Sequence, residues 1–501
     1  MNLKKFSLIL IGFYLLIFLV LPHTEYQPAD PGIKIIQIQD FINSGYSTFA
    51  ASYQGKYLDP DLKFFPTKPP FGYIISGNAY YVFPFFVTIF YAPFYWLGGV
   101  YALDLLSLIS GLLILYLVYK ISILLELSES FRKPMLIFIS FGSINSIYSF
   151  MLGEAIHASL LITLAYFLIL KAKTLDKSWL FFLSGFLSGL SVLFRIELAF
   201  FCFLFFVGVL LFRIHKSKMD LVALATGFAI PALILIFANY QVTGNILGLR
   251  GIEFLNYSGA AYPFERRLFS LVKALFVSDK GLGLFTAWPV FLFLIPFFIF
   301  FKKLNSNREL NFLLFISIIF SILIPMIVKN DDGSILGPRF AASVQPLLVV
   351  GTFYSIDLLS KSERIIKWIS YLKYIVYYSV FVTLLGYVIL FLFLKTSHRM
   401  NVEIDKSISG ELVIIKNAEF YSLVFPSLPK KPVLAIENSQ ELSDFFQKNL
   451  AKVPRNISII SSASAKNNDS LLPIGVDYEM ENAFSKNGIV VQNLKIKNLG
   501  N

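Results

Sequence analysis

A chain of 501 residues with a mean hydropathy of +0.69, 56% hydrophobic and only 15% charged residues, is too apolar for a water-soluble protein and reads as a polytopic membrane protein. Its formal charge of +12 gathers at the ends of apolar runs rather than in one block, so it speaks for membrane topology and against nucleic acid as a partner. One cysteine, Cys202, rules out an intramolecular disulfide.

Lys4 and Lys5 precede a first apolar run near 6–22, and no small-x-small cleavage site follows in LPHTEYQPAD. That pattern predicts an uncleaved anchor. A polar loop over 23–80 follows, rich in Pro, Gly, Tyr and Asp. The next apolar stretch, Tyr81–Gly98, carries Pro84, Pro93 and the Gly98-Gly99 pair among nine aromatic residues. Prolines and glycines of this kind suit a broken or interfacial helix, and aromatic rings suit the headgroup zone.

Further spans are predicted near 102–121, 134–150, 155–171, 179–194, 197–212, 221–239, 284–301, 310–328, 340–358 and 371–395. With the first run they make about eleven, each long enough for a ~30 Å hydrocarbon core. A second large loop covers 241–283, and the tail over 401–501 is polar. In the tail, residues 411–415, 432–436 and 457–461 read as strands. Residues 439–452 read as an amphipathic helix with Ser439 as N-cap and Leu442, Phe445, Phe446 and Leu450 on its apolar face. Strand, helix, strand in that order predicts a parallel pair joined by a crossover. The expected organisation is a transmembrane domain over 1–400 with outer loops 23–80 and 241–283, and a small α/β domain over 401–501.

Orientation follows from charge. With an inside N-terminus, each inner loop carries three basic residues: Lys120, Arg132 and Lys133; Lys171, Lys173 and Lys177; Arg213, Lys216 and Lys218; Lys302, Lys303 and Arg308; Lys361, Arg364 and Lys367. Short loops of this composition stay cytoplasmic. Counting Tyr81–Gly98 as a full crossing would invert all of these loops, which is the main reason to read it as re-entrant or interfacial. Both large loops and the tail then lie outside the membrane of a bacterial cell.

No Walker-type loop and no GxGxxG turn occurs, and the inner loops are short. Chemistry is therefore expected outside, where an activated group must arrive on a membrane carrier. Asp30, in QPADPGIK, stands about eight residues beyond the first span and can accept a proton from an attacking hydroxyl. A loop Asp in a Pro-Gly turn is the plainer alternative. Glu154, in SFMLGEAIHASL, lies on the same expected side; it also suits a helix N-terminus. Together the two carboxylates have the chemistry to hold a divalent cation, although a hard cation needs more oxygen ligands than these. Lys68, Arg195, Arg266, Arg267, Lys329 and Arg339 are the outer cations available to bind phosphate. Snorkelling or local pairs, such as Arg195 with Glu197, would also explain them. His157 and His215 stand alone and are read as packing residues.

The order of these features resembles the GT-C superfamily of lipid-dependent glycosyltransferases, which includes the protein O-mannosyltransferases and the bacterial aminoarabinose transferases of lipid A. The likeness runs over about residues 1–350. Its parts are Asp30 followed by IKIIQIQDFINSG, the Lys68-Pro69-Pro70-Phe71-Gly72-Tyr73 stretch, an interfacial helix at 81–98, Glu154, GLSVLFR at 189–195, GLGLFTAWPVF at 281–291 and GSILGPRF at 333–340. Relatives often carry a second acid directly after the first, where this chain has Pro31. The resemblance implies a polyprenyl-phosphate-linked sugar as donor and a glycan, lipid or protein acceptor. It implies Asp30 as base, with Glu154 supporting it, and Lys68, Tyr73, Arg195, Arg266, Arg267, Lys329 and Arg339 around the substrate. No cofactor is implied beyond that cation. Location would be the bacterial inner membrane, in contact with its lipids.

Competing readings are a lipid-linked sugar flippase or transporter, an O-antigen ligase or polymerase, and a scaffold whose tail docks an envelope partner. The spans lack the mid-depth charges and inverted repeats common in transporters. Ligases usually carry a very large outer loop rich in Arg and His, whereas 241–283 is moderate and has no His.

Overall fold

The computed structural model describes residues 3–27, 29–252, 263–278, 281–304, 307–328, 339–361, 369–416, 430–462, 472–473 and 476–499. The first half of the chain forms α1 (Leu3–Val20), α2 (Ala29–Asn43), β1 (Gly72–Ile75), β2 (Asn78–Tyr81), α3 (Phe85–Leu124), α4 (Glu129–Phe141), α5 (Ile144–Tyr148), α6 (Glu154–Leu175), α7 (Ser178–Phe194), α8 (Leu198–Leu211) and α9 (Lys218–Thr243). The second half forms α10 (Phe264–Leu275), the short pair β3 (Val277–Ser278) and β4 (Gly281–Leu282), α11 (Leu284–Ala287), α12 (Leu294–Leu304), α13 (Arg308–Ile327), α14 (Gln345–Leu359) and α15 (Leu372–Ser407). Then come β5 (Leu412–Ile415), β6 (Val433–Ala435), α16 (Ser439–Asn449), β7 (Asn456–Ser462), β8 (Val476–Lys486) and β9 (Ile489–Leu499).

Among the described residues, six helical segments are long and apolar enough to cross a membrane: α3, α6, α9, α13, Arg339–Leu359 and α15. Four more of the expected spans fall on shorter apolar helices, Lys5–Val20, Ser178–Phe194, Leu198–Leu211 and Pro289–Ile299. The remaining one, expected over 134–150, is interrupted at Gly142 and Ser143, which separate α4 from α5. A second interruption falls at Trp288-Pro289, where α11 gives way to a 3₁₀ turn before α12; proline cannot donate to the preceding helical turn. The Tyr81–Gly98 stretch does not run straight on into the remainder of α3. Helical geometry fails at Gly98 and Gly99, and Gly99 has a φ of 59°, a value that L side chains rarely adopt.

The chain divides into two compact units, Met1–Leu21 with Ala102–Phe391, and Pro22–Tyr101 with Leu392–Asn501. In the first, α14 is the innermost helix, with Leu347, Val349, Val350, Phe353 and Ile356 buried. Lipid chains are as apolar as leucine, so close packing and hydrogen bonds hold such helices together. α7 and α9 show how close: a Cβ on Gly227 would lie 2.2 Å from the Phe182 carbonyl oxygen. α9 starts with a capping box in which Ser217 and Asp220 satisfy each other's amides.

The second unit is built on a five-stranded sheet of order β6-β5-β7-β9-β8. β5 runs parallel to both β6 and β7, so the crossover through α16 passes over β5 rather than joining neighbours. The antiparallel β8–β9 hairpin extends the sheet on the other side. Leu442, Phe445 and Phe446 of α16 pack on Leu412, Ile414, Leu434, Ile457 and Ile459, and Leu58 and Phe64 of the first loop complete this core. Each such side chain removed from water contributes roughly 1.5–3 kcal/mol. The α16 cap is Asn438, whose side chain accepts from the Glu441 amide at 2.7 Å, and not Ser439 as expected; Ser439 is already the first helical residue.

Candidate functional site

Asp30 lies in the first turn of α2, where the helix dipole favours a carboxylate. The helix begins at Ala29, so Asp30 is helical and not in a Pro-Gly loop turn; Pro31 tolerates the first turn because its missing N–H has no partner there. Lys34 follows at i+4, on the same face of the helix. It is buried, and its ammonium lies 4.6 Å from the centre of the Phe83 ring. Gln37 anchors the same segment by donating to the Phe83 carbonyl at 3.2 Å. The sequence reading missed Lys34, although the i,i+4 spacing from Asp30 was there to be read.

Lys68 sits at a tight turn whose carbonyl accepts from Phe71 N at 3.0 Å and Gly72 N at 3.1 Å. A Cβ on Gly72 would lie 2.3 Å from the Thr67 carbonyl oxygen, so only glycine lets the chain double back here. The half-buried Lys68 ammonium donates to the Lys63 carbonyl at 2.6 Å. Burial lowers its pKa, Asp59, Glu437 and Glu441 act in the opposite direction, and Lys63 adds to the lowering. Tyr73 lies in β1, opposite Tyr80 of β2. Asp30, Lys34, Lys68 and Tyr73 all belong to the second unit.

The first unit holds the other candidates. Glu154 is the first residue of α6 and is buried. One turn on, His157 is buried with Nδ1 2.9 Å from Ser110 Oγ, and its ring packs near Phe194, in keeping with a packing role. Arg195, just beyond α7, is buried and ion-paired with Glu197, Nε lying 2.6 Å from Oε1. The local pair foreseen for it therefore forms. Its guanidinium also lies 5.4 Å from the Phe340 ring centre, and that of Arg339 lies 5.7 Å from the same ring. One aromatic ring thus draws two of the candidate arginines together.

A buried polar knot fixes the backbone behind Arg339. Asn145 Nδ2 donates to the Ala342 carbonyl at 3.2 Å and to Gln345 Oε1 at 2.9 Å, while Ser159 Oγ donates to Asn145 Oδ1 at 3.1 Å. It ties α5, α6 and the Arg339–Val344 turn of 3₁₀ helix to one another, so the elements bearing Glu154 and Arg339 are held together. Nothing in the sequence marked this knot, because its partners lie up to 200 positions apart.

Arg266 and Arg267 stand in the first turn of α10. Arg267 Nη1 donates to the Met326 carbonyl at 2.9 Å, a cation on the C-terminal end of α13. Arg266 is exposed. Phe264, Leu268, Phe269, Val272 and Phe276 make the outer face of α10 apolar. Lys329 lies outside the described residues. Among the described residues no three His, Cys, Asp or Glu side chains gather into a set that could hold a metal ion.

One unit is an interrupted bundle of apolar helices, and the other is built from the first loop and the tail. No family model matches the chain, and no curated protein matches it in sequence. In fold it is similar to ArnT from Cupriavidus metallidurans, an aminoarabinose transferase, bound to undecaprenyl phosphate. That match has a TM-score of 0.56 at 11% identity and covers 100% of both chains. The apo state of the same protein matches with a TM-score of 0.57 at 12% identity, over 98% of each chain. The likeness to ArnT is one of fold, and it runs along the whole chain.

Proposed function

We propose that this chain is a membrane glycosyltransferase that moves a sugar from a polyprenyl-phosphate carrier to an acceptor hydroxyl on the extracytoplasmic face, with inversion at the anomeric carbon. The observation that carries the reading is the full-length fold likeness to a transferase bound to undecaprenyl phosphate, joined to an acid in the first turn of α2 where the motif requires it.

In this reading the chain sits in the bacterial inner membrane with its N-terminus cytoplasmic, about eleven crossings, Phe85–Leu97 as an interfacial helix, and both loop 23–80 and the tail outside. The acceptor oxygen attacks the anomeric carbon from the face opposite the lipid phosphate. Its proton passes to the Asp30 carboxylate, the new C–O bond forms, and the bond to the phosphate oxygen breaks. Polyprenyl phosphate leaves, and Asp30 returns its proton to solvent. Lys34, one turn along α2, stands on the same face of that helix as Asp30.

Lys68, Arg266, Arg267, Lys329, Arg195 and Arg339 are the cations that offset charge on the departing phosphate, and placed donors of this kind often supply the largest share of rate enhancement. Of these, Arg195 is already paired with Glu197. α10 would lie in the membrane plane with its apolar face among acyl chains, which keeps Arg266 at headgroup level. Tyr73 would contact the substrate, and Glu154 would support Asp30 or help hold a cation. The acceptor is a glycan, lipid or protein hydroxyl.

Asp30→Asn tests the base role. Transfer should fall by at least ~10²-fold, the ordinary worth of general base catalysis, with unchanged expression and membrane insertion. Wild-type turnover in that variant would remove Asp30 from the mechanism.

A further inference from the structure

We infer that the C-terminal residues serve as the mount for Lys68: segment 58–68 of the first loop is bound along the open edge of the tail sheet, and the tail thereby sets where that ammonium stands. The inference rests on the reading of Lys68 as a ligand of the donor phosphate and assigns the tail its part in the same site.

β6 is an edge strand. Its N–H groups alternate in direction: Ile436 N donates inward to the Ile415 carbonyl at 2.9 Å, whereas Ala435 N points outward and donates to the Phe64 carbonyl at 2.9 Å. An edge N–H of that kind would otherwise be open to solvent or to a foreign strand. Phe64 also places its ring edge-on to Phe445 of α16, 5.7 Å between centres, and Leu58 enters the same core. Two ion pairs flank these contacts, Lys63 with Glu441 at 3.4 Å and Asp61 with Lys448 at 3.9 Å.

The loop is stiff between its two ends. Buried Asp59 accepts from Lys63 N at 3.0 Å, Phe64 N at 2.8 Å and Tyr53 Oη at 3.0 Å. It thereby holds Leu62 at a φ of 57°, a conformation a leucine adopts only when its surroundings impose it. From this segment the Lys63 carbonyl receives the Lys68 ammonium at 2.6 Å. The tail acts on Lys68 through charge as well: of the three carboxylates that oppose the effect of its burial, Glu437 and Glu441 belong to the tail. Ala435 and Phe64 are accordingly positioning residues, acting on the donor only through Lys68.

The test uses full-length protein in lipid nanodiscs with a polyprenyl-phosphate-linked sugar as donor. Ala435→Pro removes the outward N–H alone, a change that edge strands tolerate, and Ala435→Ser keeps it. Ala435→Pro should lower kcat/KM for the donor about tenfold, with kcat sharing in the fall, as expected when a cation that offsets charge on the departing phosphate is displaced. Ala435→Ser should match wild type, and Phe64→Leu should recover most of what Phe64→Ala loses. Added to Lys68→Ala, Ala435→Pro should cost nothing more, because both act on one group. Hydrogen exchange over 62–68 should rise in Ala435→Pro. An unchanged kcat/KM in both Ala435→Pro and Phe64→Ala, beside a lowered kcat/KM in Lys68→Ala, overturns the mount and leaves the transferase reading standing. A Lys68→Ala enzyme with wild-type kinetics removes Lys68 from the site and the mount with it. If Ala435→Pro fails to fold, the Phe64 pair decides alone.

Discussion

Asp40 is buried, with Oδ2 accepting from the Ser52 amide at 2.9 Å and Tyr81 donating to the same carboxylate. Burial outweighs both hydrogen bonds and pushes its pKa up to about 7. Unfolded, an aspartate titrates near ~4. Between those values the folded chain binds more protons than the unfolded one. Its contribution to stability is therefore complete below about pH 4 and is lost as pH rises through about 7, a change on the order of 4 kcal/mol. Asp40→Asn should flatten the fall in thermal unfolding midpoint between pH 4 and 8. A variant whose midpoint still falls as steeply as wild type would contradict the assignment. Asp40 has no role in the proposed chemistry; it joins α2 to the loop at Ser52 and to β2, and so holds in place the helix that starts with Asp30.

Among the elements, the contact between α7 and α9 carries a sharp steric requirement set by backbone. Gly227→Leu would drive a branched side chain into the backbone of α7, whose Phe182 carbonyl already lies 2.2 Å from a Cβ there. Purified in detergent, that variant should lose most of its monodisperse folded fraction, whereas Leu233→Ala on the exposed side of α9 should not; equal recovery of both would contradict close packing of the two helices. Elements of this kind were legible where one physical signal dominated. Apolar runs located the membrane helices, and Gly98-Gly99 marked the break in α3. Leu442, Phe445 and Phe446 gave the buried face of α16.

Other features carried a weaker signal or none. The β1–β2 hairpin turns on Ser76-Gly77, both at positive φ, a two-residue cue that the polar composition of the loop obscured. β8 is exposed at most positions; Val476, Tyr478 and Met480 do alternate with Asp477, Glu479 and Glu481, a strand signal that the sequence reading passed over. Asp30, Lys68, Glu154 and Arg339 could be picked out by residue type and motif. The sharing of Phe340 by two arginines and the Asn145 knot could not, since both depend on contacts between distant segments.

Across the whole molecule, fold is similar where sequence is not: 11% identity accompanies a match over the full length of ArnT. A bilayer explains part of this tolerance. It requires apolar helices of set length and leaves their exact side chains free, while the polar groups at their ends fix orientation. The orientation proposed from charge predicts that a reporter inserted at Leu127, in the turn between α3 and α4, signals from the cytoplasm; a periplasmic signal there would make Tyr81–Gly98 a crossing and invert every later loop. The most direct measurement tracks the anomeric bond itself. Proteoliposomes holding the purified chain, a labelled polyprenyl-phosphate sugar and a hydroxyl acceptor would be analysed for free polyprenyl phosphate and for product configuration by NMR. The account predicts that donor is consumed, that polyprenyl phosphate appears in equal amount, and that the new glycoside carries the opposite anomeric configuration. Donor recovered intact on the other side of the bilayer, with no polyprenyl phosphate released, would contradict it.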